Sequence, residues 1–370
     1  MSTFADLGVS KKLAKGIAEL NITKPTPIQE QVIPLLLERK RDIVAQAQTG
    51  TGKTAAFGLP LLMQVNAGQP QLQGLILTPT RELGQQIAKQ FFKFTKYTDR
   101  IFTEVVYGGE KIDVQIKKLK RTTHILVATP GRLIELMDKN CVDISKVQTV
   151  VLDEADEMLS MGFQKELDAI LKILSPNRST WLFSATFPKS VEQMVDTHVR
   201  KNAERIKIKG TSRTNSNIDH QFVVQEDVMK FDTLLQFLKT KKHQQGILFC
   251  RTKVAARELY QKIQSYGLPV SLLEGDMLQK DREKTLRAFR KKKTDYLIAT
   301  DVVARGIDIA DLAFVVHYQL PDHIEYFTHR SGRTARGYNT GISLCLISKG
   351  EIKILKAYER ELGITFKQIR

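Results

Sequence analysis

The stretch "TVVLDEADEML" (149–159) sets Asp153, Glu154, Asp156 and Glu157 directly behind an apolar run. A second stretch, "AQTGTGKT" (47–54), follows another apolar run, "RDIVAQ". Gly50 and Gly52 let this loop turn, so that backbone N–H groups of Gln48, Thr49, Gly50, Thr51 and Gly52 can surround phosphates at the start of a helix. Lys53 is then placed to reach β- and γ-phosphates, and Thr54 to ligate Mg²⁺. Such a loop needs a carboxylate at the end of a neighbouring strand to hold the metal, and Asp153 follows "TVVL" at that place. Glu154, one residue on, would face the γ-phosphate and orient or deprotonate a water. The acids of this basic chain thus serve ATP and Mg²⁺. Glu157 reads as a solvated helix residue without a role. Ala47 stands where the usual phosphate-loop pattern has its first glycine.

The elements that must position these groups are short β-branched runs alternating with helical patterns. "RDIVAQ", "GLILT", "EVVYGG", "HILVAT", "TVVLD" and "TWLFSAT" are candidate strands of the first half. "HQFVVQ", "QGILFC", "VSLLEG", "DYLIAT", "FVVHYQ" and "GISLCLIS" repeat the style in the second. Near-continuous apolar strands joined by helices predict an α/β fold, with mostly parallel sheets covered on both faces. Around 206–218 the segment "IKIKGTSRTNSNID" turns polar and marks a linker, giving domains 1–207 and 219–370 joined by 208–218.

Composition bounds the partners. The 370-residue chain, 42% hydrophobic, can bury a sizeable core; 57 Lys+Arg against 40 Asp+Glu leave a net charge of +17. That excess favours a polyanionic partner such as nucleic acid, the alternative on charge alone being a basic but otherwise ordinary protein. Basic runs "KKLKR" (117–121) and "RKKK" (290–293) read as solvated helix faces. Cys141, Cys250 and Cys345 lack CxxC or Cys/His spacing, so they are expected as small buried side chains in a reducing cytoplasm. No apolar run approaches the ~20 residues of a membrane span, and a signal-like N-terminus is lacking.

"DEAD" beside "AQTGTGKT" resembles the DEAD-box RNA helicases of superfamily 2. The resemblance runs along the chain through "PTPIQ" (25–29), "PTREL" (79–83), "TPGR" (129–132), "SAT" (184–186), "ATDVVARGID" (299–308) and "HRSGRTARG" (329–337). It implies two tandem RecA-like domains, with ATP and RNA bound across the cleft between them. It further implies an RNA-dependent ATPase acting on single strands and short duplexes, a monomeric core with no membrane association.

Residue roles follow from the same resemblance. Gln29 would read the adenine edge, with Phe4 as the supporting upstream aromatic. Gly306 and Asp308 would approach phosphates and ribose. Lys53, Glu154, Arg333 and Arg336 would carry catalysis, the two arginines as fingers, and His329 would support the interdomain surface. Asp156, Ser184 and Thr186 would couple the nucleotide to RNA. RNA contacts would come from Thr80, Arg81, Gly108, Gly109, Thr129 and Arg132 in the first half. In the second they would come from Arg251, Gly275, Asp276, Gln279, Arg282, Thr300 and Asp301.

Three departures stand out. Ile22 replaces the aromatic that stacks on adenine, Glu274 replaces the histidine of "HGD" and brings negative charge near the RNA path, and Ala335 replaces a frequent glycine, with either small residue tolerated. Two alternatives stay open: an ATP-gated RNA clamp that holds partner proteins, and DNA strand separation. The chain ends at "ELGITFKQIR", as a minimal core or a shortened chain would.

Overall fold

The structure, a computed structural model, describes residues 2–38, 41–48, 50–208, 217–301, 309, 312–335 and 340–369, without the side chains of Gln279 and Glu325. Two compact units divide the chain at Lys209/Gly210. In the first unit the apolar runs become β1 (Ile43–Gln46), β2 (Gly74–Leu77), β3 (Thr103–Val106), β4 (Ile125–Ala128), β5 (Thr149–Asp153), β6 (Ser179–Ser184) and β7 (Glu204–Lys207). They form a parallel sheet in the order β3-β4-β2-β5-β6-β1-β7.

Both faces are covered, which is why these strands read as continuous apolar runs. Ile43, Ala45, Ile76, Val127, Val151, Trp181 and Phe183 point to one core. Helices Lys11–Ala18, Pro27–Leu37, Lys53–Gln64 and Arg81–Phe94 complete it through Ile17, Val32, Phe57 and Phe91. The alternate positions Val44, Leu75, Leu77, Leu126, Val150, Leu152 and Leu182 meet the opposite core. Helices Pro130–Asp138, Ala155–Ser160, Gln164–Ile173 and Lys189–His198 close that side with Leu133, Met158, Leu167 and Met194. Each large apolar side chain taken fully from water contributes about 1.5–3 kcal/mol.

The second unit repeats the plan with β8 (Ile218–Val224), β9 (Gly246–Cys250), β10 (Val270–Leu273), β11 (Tyr296–Thr300), β12 (Phe314–His317), β13 (Gly341–Ile347) and β14 (Lys367–Gln368). Their order is β10-β11-β9-β12-β13-β8-β14, again parallel. Helices Lys230–Thr240 and Lys253–Ser265 pack on one face, and Gln279–Arg290, Ile324–Ser331 and Ile352–Leu362 supply the apolar contacts of the other.

Every run expected as a strand contains one, and the parallel α/β class holds. Two edge strands escaped the reading. "ERIK" of β7 buries only Ile206, and β14 is a short exposed pair. Edge strands carry little apolar signal because they cover little. Ile206, Lys207 and Ile218, read as part of the polar connection, are strand residues; most of the linker, 209–216, lies outside the described residues. Cys250 and Cys345 are buried as expected, whereas Cys141 is only half-buried. Among the described residues no helix is long and apolar enough to cross a membrane.

Candidate functional site

Apart from Phe4 and Gln29, which precede β1, the candidate residues of the first unit end parallel strands or follow their C-terminal ends, where such sheets bind ligands. The register shows why they meet. Gln46 at the end of β1 lies beside Ser184 of β6, and Asp153 at the end of β5 lies beside Phe183. The phosphate loop leaves β1 tied to β6, with Ala47 N donating to Ser184 O at 3.0 Å and Gln46 Nε2 to Ala185 O at 3.3 Å.

The loop then turns through Gly50 (φ 82°) and Gly52 (φ 93°) into the helix Lys53–Gln64. Left-handed backbone favours glycine, and a Cβ at position 52 would lie 2.4 Å from Gln29 Nε2. Gln29 is buried at the third position of the helix Pro27–Leu37. Its Oε1 accepts from Thr26 N at 2.9 Å, half of a capping box, and its Nε2 donates to Gly52 O at 3.0 Å. One N–H and one lone pair of the amide are left over. "PTPIQ" is therefore a helix cap that also grips the phosphate loop. Phe4 and Ile22 belong to the apolar core of this region, Phe4 buried and Ile22 half-buried. Thr51 bonds through its hydroxyl to Gln48 O at 2.8 Å; Thr49 lies outside the described residues.

Lys53 and Asp153 are both buried, and Lys53 Nζ and Asp153 Oδ1 have no hydrogen-bond partner among the described residues. Burial above all pushes the Asp153 carboxyl up to about 7; Glu154 and Asp156 add to this and Lys53 opposes it. Such a pair is costly unless a ligand completes it. A divalent cation and phosphate oxygens are the complement that fits, the cation for the orphaned carboxylate and the phosphate for the ammonium. No cluster of three or more His, Cys, Asp or Glu side chains suits a metal among the described residues. Mg²⁺ needs none, because it takes one or two protein oxygens and fills its shell with phosphate and water. Thr54, half-buried on the first turn of the helix, is the second oxygen the sequence expects.

Glu154 holds a left-handed backbone (φ 55°, ψ 54°) at the N-cap of the helix Ala155–Ser160. For a glutamate this conformation costs about 1–2 kcal/mol, and such strain concentrates at working residues. Two positions on, Asp156 Oδ2 accepts from both Thr186 N and Thr186 Oγ1 at 2.8 Å. Asp156 N donates to Ser184 Oγ at 3.2 Å, and that hydroxyl donates to Thr186 O at 2.7 Å. Asp156, Ser184 and Thr186 are thus one hydrogen-bonded unit. Glu157, expected in solvent, is buried: its short helix lies under Lys189–His198, and Ser160 Oγ donates to its carboxylate at 3.3 Å.

The neighbouring half of the same sheet edge carries a different set. Thr80 caps the helix Arg81–Phe94 after β2 through its hydroxyl, and Thr129 holds the N-cap position of Pro130–Asp138 after β4 without a side-chain cap bond. Gly108 and Gly109 follow β3, and Arg81 Nη1 sits 2.8 Å from where a Cβ of Gly109 (φ 87°) would be. Arg132 is buried, bonded to Glu135 at 2.8 Å and to Glu110 O at 3.1 Å. The order β3-β4-β2-β5-β6-β1 therefore separates two helix N-termini with small residues from the phosphate loop with its acids.

In the second unit Arg251, Glu274, Gly275, Asp276, Thr300 and Asp301 follow the adjacent strands β9, β10 and β11. Arg251 is exposed and pairs with Asp322 at 3.2 Å; Gly275 and Asp276 are exposed, and Arg282 is buried. Glu274 overturns its expectation. It is buried and chelated by Arg257 at 2.8 and 3.0 Å, so its charge is neutralised internally. Asp301 is turned inward onto Arg330, at 2.5 and 2.6 Å. Arg257 drew no notice in the sequence, and Arg330 was seen only as part of "HRSGRTARG" with no role of its own; an arginine's partner is a property of strand order. Arg333 is buried just beyond the helix Ile324–Ser331, which carries the half-buried His329. Ala335 holds φ 56°, so glycine and alanine are not equivalent there. Gly306, Asp308, Arg336 and the Gln279 side chain lie outside the described residues.

Known proteins divide in the same way. The DEAD/DEAH box helicase family matches residues 26–194, and the helicase conserved C-terminal domain matches 229–338. The ATP-dependent RNA helicase DbpA of Bacillus subtilis is 38% identical over 369 residues, spanning 100% of this chain and 76% of that protein. The RNA helicase CrhR of Synechocystis is 41% identical over 362 residues, 98% of this chain and 73% of its own. Among solved structures, S. cerevisiae Dbp5 bound to RNA and ADP BeF3 is similar with a TM-score of 0.91 and 32% identity, over 100% of this chain and 96% of that one. Mss116p bound to ssRNA and AMP-PNP is similar at 0.88 and 28% identity, over 100% and 80%. A nucleotide-binding edge, a hydrogen-bonded "SAT" unit and a second unit built alike thus meet relatives that span nearly the whole chain: the chain belongs to the DEAD-box family of ATP-dependent RNA helicases.

Proposed function

We infer that the chain is an RNA-stimulated ATPase that locally unwinds or remodels short RNA duplexes, with residues 1–207 and 219–370 as its two working domains. The observation that carries this reading is the sheet edge of the first unit. There Lys53 Nζ and Asp153 Oδ1, without hydrogen-bond partners among the described residues, adjoin the Asp156–Ser184–Thr186 unit, and the next strands present the helix N-termini at Thr80 and Thr129.

Lys53 and the loop amides from Gln48 to Gly52 hold the β- and γ-phosphates, while Asp153 and Thr54 hold Mg²⁺, which when bound offsets phosphate charge. Glu154 orients the attacking water and takes its proton. Gln29 reads adenine with the donor and acceptor its internal bonds leave over. Arg333 and Arg336 deliver positive charge to the reacting phosphates, and Gly306 and Asp308 approach the nucleotide. Helix N-termini and guanidiniums around Thr80, Arg81, Thr129 and Arg132 take RNA phosphates without reading bases. Thr186 and Ser184 link the two through Asp156. Three free cysteines suit a reducing cytoplasm.

The test is steady-state ATP hydrolysis with Mg²⁺, with and without single-stranded RNA, beside strand separation of an RNA duplex of about one helical turn. RNA should stimulate hydrolysis at least tenfold. Equal rates with and without RNA, and an intact duplex, would overturn the reading.

A further inference from the structure

Beneath the helix that precedes Arg333 lies a buried polar cluster in which His317 and Ser343, outside every quoted motif, meet Arg330 and Ser331 of "HRSGRTARG". His317 ends β12, Ser331 ends the helix Ile324–Ser331, and Ser343 lies on β13. All three are within 1% of complete burial. His317 Nε2 lies 3.2 Å from Ser331 Oγ and 3.1 Å from Ser343 Oγ, and the two hydroxyls are 3.0 Å apart. Across the ring, Nδ1 is 3.5 Å from Arg330 Nη1. Arg330 is itself held by the Asp301 carboxylate and by Gln319 O at 2.8 Å. The imidazole stacks on Phe327 of the same helix, centroids 4.6 Å apart.

This geometry fixes the ring's chemistry. A guanidinium only donates, so Nδ1 accepts and the proton sits on Nε2, which donates into the serine pair. Burial, then Arg330, hold the imidazole in its neutral form. A leucine would fill the same space without asking for partners, so the cluster's distinctive contribution is orientation. What it orients is the chain just before Arg333. Arg333 N donates to Arg330 O at 3.1 Å, and Thr334 N to Ser331 O at 3.2 Å.

We propose that His317 is a positioning residue for ATP hydrolysis: it locks Arg330 and Ser331 so that Arg333 is presented to the phosphates in one orientation. This rests on the reading of Arg333 given above, and His317 itself touches neither ATP nor RNA.

The test compares His317→Leu, His317→Gln, Ser343→Ala, Arg333→Ala and the His317→Leu/Arg333→Ala double variant in the full chain, with poly(U) as the RNA. Misplacing a catalytic group by a fraction of an ångström should cost His317→Leu about 10–100-fold in kcat. KM for ATP, nucleotide-free poly(U) affinity and the unfolding midpoint should stay near the parent values. His317→Gln keeps a donor near the Nε2 position and should recover most of the rate. Ser343→Ala, the mildest change, should lose severalfold and keeps the comparison open if His317→Leu does not fold. The double variant should be no slower than Arg333→Ala alone, because both changes act through one residue. A slow Arg333→Ala beside a normal His317→Leu would overturn the inference, and so would a double variant whose defects multiply. Full activity in Arg333→Ala would instead sink the assignment of Arg333.

Discussion

On the proposed reading a single residue decides whether hydrolysis happens, and that residue is Glu154. It holds a left-handed backbone just beyond β5, while Lys53 Nζ and Asp153 Oδ1 lack hydrogen-bond partners among the described residues. The proposal therefore assigns holding ATP and cleaving it to different side chains. Glu154→Gln should lower RNA-stimulated kcat by at least about 100-fold while ATP-dependent RNA retention persists. Near-normal turnover, or loss of retention together with turnover, counts against the division of labour. Ala335 poses a different question at the same scale, since its φ of 56° suits glycine. Ala335→Gly relieves about 1–2 kcal/mol of left-handed strain against an unfolded-state entropy cost of about 0.4–1 kcal/mol, so stability should rise by about 1 kcal/mol or less, read as a higher urea midpoint with an unchanged m-value.

At the scale of elements, two strands of the second unit carry buried histidines. His220 on β8 packs between Phe327 and Phe366, and burial pushes its pKa down to about 4. His317 on β12 lies well below its ordinary 6.5, for the same reason first. Below pH 6.5 the unfolded chain protonates both rings while the folded chain keeps them neutral, so stability falls as pH falls. The loss runs from pH 6.5 to about 4 for His220 and contributes nothing above that window. Each ring adds a slope of about 1.4 kcal/mol per pH unit. His220→Phe keeps the aromatic packing and should remove one proton's worth of that slope, measured by urea unfolding at pH 7, 6 and 5. An unaltered slope would mean that His220 titrates normally in the folded state.

For the whole molecule, the net charge of +17 favours a polyanion, and the proposed function takes RNA affinity from phosphates. With about five phosphates neutralised, affinity for single-stranded RNA should fall roughly 100-fold between about 50 and 200 mM salt. Homopolymers of different base should differ far less; a strong base preference at constant salt would contradict a backbone-tracking surface. Each base-pair step is worth about 1–2 kcal/mol (a DNA figure), so one cycle opens only a short region. Strand separation should therefore collapse as an RNA duplex grows from one helical turn to several. Efficient opening of a duplex many turns long would rule out the local mechanism.

Sequence alone determined what is written in short-range pattern: the buried strands, the glycine turn from β1 into the helix Lys53–Gln64, and the carboxylates behind β5. Those signals are local, because burial on both faces makes a run apolar and a loop around phosphate needs glycine at fixed places. The weak edges β7 and β14 left no such trace. Partners across the sheet were decided only by the fold. Glu154 stands apart from Glu157, seen as its solvated neighbour, because one holds the N-cap just beyond β5 in a left-handed turn and the other is buried under a second helix. Glu274 meets Arg257, Asp301 meets Arg330, and His317 meets two serines from other elements. No spacing along the chain encodes these pairs. They exist because parallel strands, ordered by crossovers, bring distant ends to one edge, where low dielectric makes every unpaired group costly.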